Sequence, residues 1–464
     1  MWDRRAQYLL ALVLPLLIAI ETVHAEDLPE RLDMVQSPSP EASPASEPAS
    51  GAAAAEEGSF KWDSSWQGWE GLHFSASKKT RLSDSITGHS ILNFEKVELT
   101  GKLGGRLEVD AAAFTTKGNL TGFDNGIELR RARITASGES ILALPFRYKI
   151  DLGYIPNSFS VTEAYVVIPG VRYLGNVKFG QFQPPLGLQI ATSSWDIPFM
   201  EVAAPLGAIG PGSQPGVQIG HPFSGDRGTW TLGAYGNVAT SEYGNQAKNF
   251  GNAIGRVTWL AIDGIDTDHP FENHYLHLGA SGNFEYANSG QITYRSRPES
   301  YLAPYVIDTG TINASGASTA DVEVAWVNGP LSAQGEFIYS RVDPTSGGKL
   351  NFYGFYALAS LYLTGESRPY DREEGDFKRL IPLRNFGFGE KSGWGALEIA
   401  ARFSYTDLTD GNVQGGRLAM LMTSLNWYLR PQLKWMFEVG AGSVHGSPSD
   451  GRMMLVQTRI GIDF

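Results

Sequence analysis

The sequence predicts an all-β fold, a transmembrane antiparallel β-barrel, on three observations. The first is the alternation from Met453 to Phe464. Met454, Val456, Thr458, Ile460, Ile462 and Phe464 form an almost unbroken apolar stripe, and Leu455, Gln457, Arg459, Gly461 and Asp463 alternate with them. A period of two describes a strand with one face in an apolar medium and the other in a polar one. The second is an export signal at the amino end with no apolar run of membrane-helix length after residue 25. The third is composition: 54 glycines, 53 aromatic residues (Trp 11, Tyr 19, Phe 23), only 19% charged residues and no cysteine. A membrane chain without a hydropathic span has one solution, a closed barrel in which every backbone group pairs with a neighbouring strand.

The export signal is Arg4 and Arg5, an apolar run from Tyr8 to Ile20, and Val23-His24-Ala25 as a small-x-small cleavage site, so residues 1–25 read as a signal peptide cleaved after Ala25. The 13 residues of the run make only about 20 Å of helix against a hydrocarbon core of roughly 30 Å, and Pro15 interrupts them. The arginine pair is the ordinary positive region rather than a twin-arginine signal. Residues 26–67 read as a disordered periplasmic linker. Its segment 37–57, SPSPEASPASEPASGAAAAEE, has no aromatic or branched aliphatic residue with which to offset the entropy of ordering. Without cysteines, stability rests on burial and backbone pairing alone. A net charge of −12 argues against nucleic acid or anionic lipid as the main partner.

Residues 68–464 then read as barrel. Leu421, Leu425, Trp427 and Leu429 alternate with Met422, Ser424, Asn426 and Tyr428; Leu433, Trp435, Phe437 and Val439 alternate with Lys434, Met436, Glu438 and Gly440. Only Arg430-Pro431-Gln432 separates the two, a tight turn of the kind found on the periplasmic side. Ile399, Ala401, Phe403 and Tyr405 repeat the pattern against Glu398, Ala400, Arg402, Ser404 and Thr406, so the charged face is expected to see water. Trp427, Tyr428 and Trp435 suit an aromatic girdle. The polar, glycine-rich stretches Asp371–Gly393 and Asp407–Gly416 are expected as extracellular loops. At about 10 residues per spanning strand plus connections, the chain can build roughly 14 to 18 strands, enough to leave an aqueous channel.

Several segments, in order, resemble the phosphate-selective porin O and P family. They are Lys102-Leu-Gly-Gly-Arg-Leu-Glu-Val-Asp110, Leu129-Arg-Arg-Ala-Arg-Ile134, Val177-Lys-Phe-Gly-Gln-Phe182, Gly187-Leu-Gln-Ile-Ala-Thr-Ser-Ser194 and Phe199-Met-Glu201. Tyr275 to Ala280, Leu363 to Arg368 with Tyr370, Trp394 to Arg402, Gly415-Gly416 and Leu425 to Tyr428 continue the series. The finish on Phe464 is similar to the closing strand of bacterial outer-membrane barrels. The resemblance implies a 16-stranded homotrimeric porin in the outer membrane of a Gram-negative-type bacterium, with a loop after the Lys178 strand folded inward as a constriction. It also implies outer-membrane lipid, small anions and neutral solutes as partners.

Arg106, Arg131, Arg133, Lys178, Arg295, Arg297 and Arg402 are expected to line the pore and attract anions, and Glu163, Ile190, Asp196, Glu201 and Val202 to lie at the constriction. The resemblance supplies Arg131, Arg133, Arg295 and Arg297, and pairing with Glu398, Glu108 or Asp110 on the inner wall is the alternative role for the arginines. Arg295 and Arg297 fall in the family's Arg-x-Arg-Pro stretch. Four positions depart from the family pattern: Ile190 and Val202 stand where basic residues are expected, Thr162 where an acid is, and Glu299 at the third basic position. A guanidinium or ammonium in a narrow ring binds phosphate by charge-assisted hydrogen bonds, which isoleucine and valine cannot make. The departures argue against a tight phosphate site.

Enzymatic chemistry finds no support: there is no G-x-S-x-G, H-E-x-x-H or phosphate-loop spacing. His269, His274 and His277 lie near Glu272, but on a strand His274 and His277 point to opposite faces, so neither a metal nor a cofactor is expected. A non-channel barrel acting as adhesin, scaffold or receptor is the alternative to a passive channel. Inward charges at Glu398, Arg402, Lys434 and Glu438 favour the channel.

Overall fold

The computed structural model describes residues 61–66, 72–83, 90–141, 145–155, 158–236, 250–266, 272–287, 290–388, 392–446 and 450–464. The predicted signal peptide, most of the predicted linker and His269 lie outside them. In chain order the strands are β1 (Lys61–Trp66), β2 (Leu72–Ser83), β3 (Ser90–Gly118), β4 (Gly126–Ile141), β5 (Pro145–Ile155), β6 (Ser158–Val171) and β7 (Gly175–Phe182). Two short helices follow, α1 (Leu188–Ala191) and α2 (Ala204–Ile209). The strands resume with β8 (Gln214–Phe223), β9 (Gly228–Gly236), β10 (Phe250–Gly264), β11 (His274–Tyr286), and the short β12 (Gln291–Ile292), β13 (Arg295–Ser296) and β14 (Ile307–Asp308). Then come β15 (Ile312–Asn328), β16 (Leu331–Pro344), β17 (Leu350–Tyr362), the short β18 (Tyr370–Asp371) and β19 (Asp376–Phe377), β20 (Ala396–Asp410), β21 (Val413–Arg430), β22 (Leu433–His445) and β23 (Gly451–Asp463).

Neighbouring strands pair antiparallel from β3 round to β23, and β23 returns to β3 with Asp463 opposite Arg106 and Gly451 opposite Gly118. Of the 19 strands in this sheet, β1, β2 and β12 stand outside the ring, so 19 − 3 leaves a closed wall of 16. Closure removes the edges a membrane would not tolerate. No helix among the described residues is long and apolar enough to cross a bilayer. β3 is long enough to serve two partners on one edge: its last part pairs β23, and its first part pairs β2, which in turn pairs β1. Residues 61–66, expected as linker, are therefore strand, their backbone groups answered by β2.

The alternation puts Ile134, Leu232, Leu278, Phe337, Leu425 and Met454 on the outer face, where they remain exposed. A belt of that size is unsupportable in water and is the lipid face of a barrel. Trp427 and Trp435 are cross-strand partners in the girdle, their rings 6.3 Å apart. Tyr428 is not a girdle residue. It has the opposite parity, is buried, and donates its hydroxyl to Glu398 Oε2 at 2.8 Å.

Both expected extracellular loops are corrected. Residues 407–416 are mostly strand, β20 and β21 running past the expected loop to turn at 411–412. The segment 371–393 lies in the β17–β20 connection, at the same end as the turns 329–330 and 431–432 and opposite the end that carries 183–213. Its polar residues are spent on the inner wall: Arg372 on Asp263 at 2.5 Å, Glu373 on Arg147 at 2.6 Å and Arg379 on Asp463 at 3.0 Å.

Candidate functional site

The chain between β7 and β8 enters the barrel. Pro184 and Pro185 cannot continue the β7 ladder, and Gly187 turns at φ 84° into α1. Thr192 Oγ1 closes that turn by donating to the Leu188 carbonyl at 2.8 Å, and proline near the start of α2 supplies a fixed φ where no backbone donor is needed. A loop inside a barrel must have its backbone satisfied, because each buried group left without a partner costs about 1–3 kcal/mol. The inner wall does this. Glu336 on β16 accepts the Leu188 and Gln189 N–H groups at 2.8 and 2.9 Å. Asn426 donates to the Pro198 carbonyl at 2.9 Å, Glu438 accepts Met200 N–H at 2.6 Å, and Lys434 Nζ donates to the Trp195 carbonyl at 2.6 Å.

Glu398, Arg402, Lys434 and Glu438 therefore point inward as expected, yet they do not face water. Each is about 1% exposed beneath the inward segments. Loop peptide groups replace water as partners of Lys434, Glu438 and Arg402, while Glu398 accepts from Asn426 and Tyr428 of the wall itself. Around these anchors Phe199, Leu206, Ile209, Ile338, Phe352 and Met420 belong to one apolar cluster.

Of the other predicted lining residues, Arg106 donates to Asp463 at 2.6 Å and Ser194 at 3.2 Å. Arg131 pairs with Glu108, Arg133 with Asp151 at 3.3 Å, and Arg402 with Glu299 at 2.6 Å. Lys178 has no carboxylate partner among the described residues; its ammonium lies 4.1 Å from the Tyr165 ring centroid and 4.5 Å from that of Phe182. Arg295 stacks over Tyr305, and Arg297 donates to the carbonyls of Tyr301 and Ala303.

At the predicted constriction, Glu163 accepts Lys149 at 2.6 Å. Ile190 packs against the apolar cluster, so close to Gly210 that a methyl group there would collide with it. Val202 is half-buried near Gly207. Glu201 holds Arg130 through two bonds, 2.7 and 2.9 Å, and Arg459 through one of 2.8 Å. Burial alone would raise the Glu201 carboxyl, but Arg130, then Arg459 and Arg131, hold it well below the usual carboxylate range. Burial pushes Asp196 up, only partly opposed by Arg379, Lys434 and Arg106. Thr162 is the extra residue of a bulge opposite Asp151, and its hydroxyl donates to the Asp151 carbonyl at 2.9 Å. His277 is buried between Tyr370 and Glu323, whereas His274 is exposed on the other face.

Residues 102–462 match the family described as phosphate-selective porin O and P. The chain belongs to that family. Porin O of Pseudomonas aeruginosa is 26% identical over 381 residues, covering 73% of this chain and 81% of the relative. An uncharacterized protein of Caulobacter vibrioides is 25% identical over 407 residues, covering 84% and 79%. Among solved structures, the outer-membrane channel DcaP of Acinetobacter baumannii aligns with a TM-score of 0.50 at 11% identity, covering 79% of this chain and 97% of that one. The protein is thus a non-enzymatic porin-family channel of the Gram-negative outer membrane.

In this porin the lumen is lopsided. The inner wall from β16 to β23 is covered by 183–213 and by the β11–β15 connection, which supplies Glu299. The inner wall from β4 to β7 is more open: the side chains of Arg133, Glu163 and Lys149 are 26%, 22% and 33% exposed. Two anchoring cations escaped the sequence reading. Arg130 belongs to a bulge, since Glu108 faces Arg131 while Val109 faces Leu129. The signal was present in the run itself: Leu129 is out of phase with Ala132 and Ile134, which requires one extra residue between them. Arg459 has the parity of the wet face, and nothing in a single strand names a partner on a distant loop.

Proposed function

We propose that this porin passes small anions and neutral solutes by diffusion along its β4–β7 wall and lacks a tight phosphate site. The observation that carries this reading is the pairing of the lumen cations: Arg106, Arg130, Arg131, Arg133, Arg256, Arg402 and Arg459 each have a carboxylate partner. An arginine already answered by a carboxylate has little left for a passing phosphate. Lys178, Arg295 and Arg297 have none among the described residues and supply a weak anion-attracting path. Ile190 and Val202 add no donors.

Bilayer recording tests this. Millimolar phosphate should barely reduce chloride current through the wild-type pore, and Ile190→Lys with Val202→Arg should make phosphate a visible blocker. Block of the unmodified pore by micromolar phosphate would refute the reading, as would strong cation selectivity. We propose a homotrimer as the assembled form, in keeping with the family; an apolar groove on the outer wall lined by Leu331, Ala359, Ile399, Ala401 and Thr423 supports a protein-covered sector. Crosslinking in outer membranes that yields only monomer would exclude it.

A further inference from the structure

Three carboxylates meet where the inward loop touches the wall. Glu323 on β15 lies directly across the ladder from Glu336 on β16, and Asp321 is two residues away on the same face. All three are buried, at 4%, 4% and 1% exposure, and one oxygen from each lies within 4.8 Å of the others. Like charges directly opposite on a sheet repel, and burial removes the water that would screen them.

The partners present answer only part of this charge. Glu323 takes Arg256 at 2.8 Å and His277 at 3.0 Å. Glu336 takes the Leu188 and Gln189 N–H groups, the Tyr356 hydroxyl and Gln334. Among the described residues, neither oxygen of Asp321 has a hydrogen-bond partner. Asp321 is aimed into the cluster, for a Cβ on Gly187 would lie 3.1 Å from its Oδ1 beside the Glu336 carboxylate. A buried carboxylate with two idle oxygens is costly unless something compensates it.

We propose that Asp321, Glu336 and Glu323 bind one divalent cation, and that the cation is calcium. Three carboxylates against the single guanidinium of Arg256 leave two negative charges, which a divalent ion cancels. All the donors are hard oxygens, the set suited to calcium, magnesium and manganese rather than to softer metals. Two ligands across a calcium ion at 2.3–2.6 Å stand up to about 5 Å apart, whereas magnesium at 2.0–2.1 Å draws them to about 4 Å. Oxygens up to 4.8 Å apart lie within calcium's span, and a buried cage of protein oxygens suits calcium, whereas magnesium keeps several waters. The ion would clamp the loop to β15 and β16, with Glu336 holding both the ion and the α1 backbone.

The test uses the full mature chain folded into detergent without lipopolysaccharide, stripped with chelator and dialysed against micromolar calcium at neutral pH. Elemental analysis should find about one calcium per chain, and chelator should lower the temperature at which the folded, fast-migrating form is lost on electrophoresis. Asp321→Asn and Glu336→Gln should each abolish the bound calcium and the chelator effect. A wild-type chain that holds no calcium and ignores chelator overturns the proposal, and is the result a proton shared between Asp321 and Glu336 would give. Full calcium retention in a folded Asp321→Asn or Glu336→Gln variant overturns it as well.

Discussion

Glu299 and Arg402 are joined across the lumen, the carboxylate Oε2 accepting from both Nε and Nη2 of the guanidinium at 3.1 and 2.6 Å with both side chains fully buried. Glu299, which the resemblance sets at a basic position of the family pattern, sits at φ 53°, a left-handed conformation that glutamate rarely adopts. Its other oxygen accepts Ala204 N–H at 2.9 Å and the Ser404 hydroxyl at 2.5 Å. One side chain thus fastens the β11–β15 connection to α2 and to β20.

Glu299→Ala should therefore leave a buried arginine without its partner and cost about 3–5 kcal/mol. The folded form should be lost at distinctly lower temperature on electrophoresis than in wild type. The double variant Glu299→Ala with Arg402→Met should recover part of the loss. Equal stability of wild type and the single variant would show that the pair is not anchored as described.

The inside and outside of the wall can be separated at adjacent positions on β4. Ile134 is 54% exposed on the outer face, and Thr135 faces the lumen. Ile134→Arg should cost roughly 2–4 kcal/mol if it lies near the bilayer midplane, and Thr135→Arg much less. Refolding yields into lipid vesicles measure the difference, and equal yields would reverse the assignment.

Gly461 on β23 makes room for the loop. A Cβ there would stand 2.8 Å from the Trp195 ring, which Lys434, Arg106 and Arg379 surround at 4.5, 5.3 and 5.4 Å. Gly461→Val should displace Trp195, costing about 1–3 kcal/mol as an overpacked site does. Trp195 fluorescence, read against a Trp195→Phe control, should shift toward a wetter environment; an unchanged spectrum would count against the contact.

Acid should act oppositely on two of the inward connections. The hydrogen bond from Arg147 holds Glu373 below the ordinary glutamate value despite partial burial, so the stability it gives the β17–β20 connection is present above that value and disappears as pH falls through the lowered one. Asp196 is raised by burial, so its ionised form burdens the 183–213 loop as pH rises and is relieved in acid. Below about pH 4, current noise from the β17–β20 connection should increase, and Glu373→Gln should show that noise already at neutral pH. A noise level independent of pH in wild type would contradict the assignment.

The barrel was legible because lipid and water write a period of two into each strand: the stripe through Val456 and Ile460 and the alternation at Leu433–Gly440 are seen in β23 and β22 as read. The inward fold of 183–213 came from family resemblance alone. What the sequence hid is the filling of the lumen. Lys434 and Glu438 carry the same parity whether they meet water or a peptide group, so a strand's own residues cannot reveal what covers them. The β17–β20 connection was misplaced for a related reason, since Arg372 and Glu373 look like solvated loop until Asp263 and Arg147 are seen opposite them. Arg130 differs in kind, because its bulge was written in the phase slip between Leu129 and Ala132.

Arg459 stands on the last strand of the ring, bound to Asp110 on the first strand at 2.7 Å through two bonds and to Glu201 and the Met200 carbonyl of the inward loop at 2.8 and 2.6 Å. The seam of the cylinder and the seat of the loop share this one guanidinium, so their free energies are coupled and the coupling is reciprocal. A solute or peptide that pried the loop loose would weaken the seam by the same amount that an open seam weakens the hold on the loop. Closing the cylinder and narrowing its bore are, in this chain, two equilibria that each bias the other.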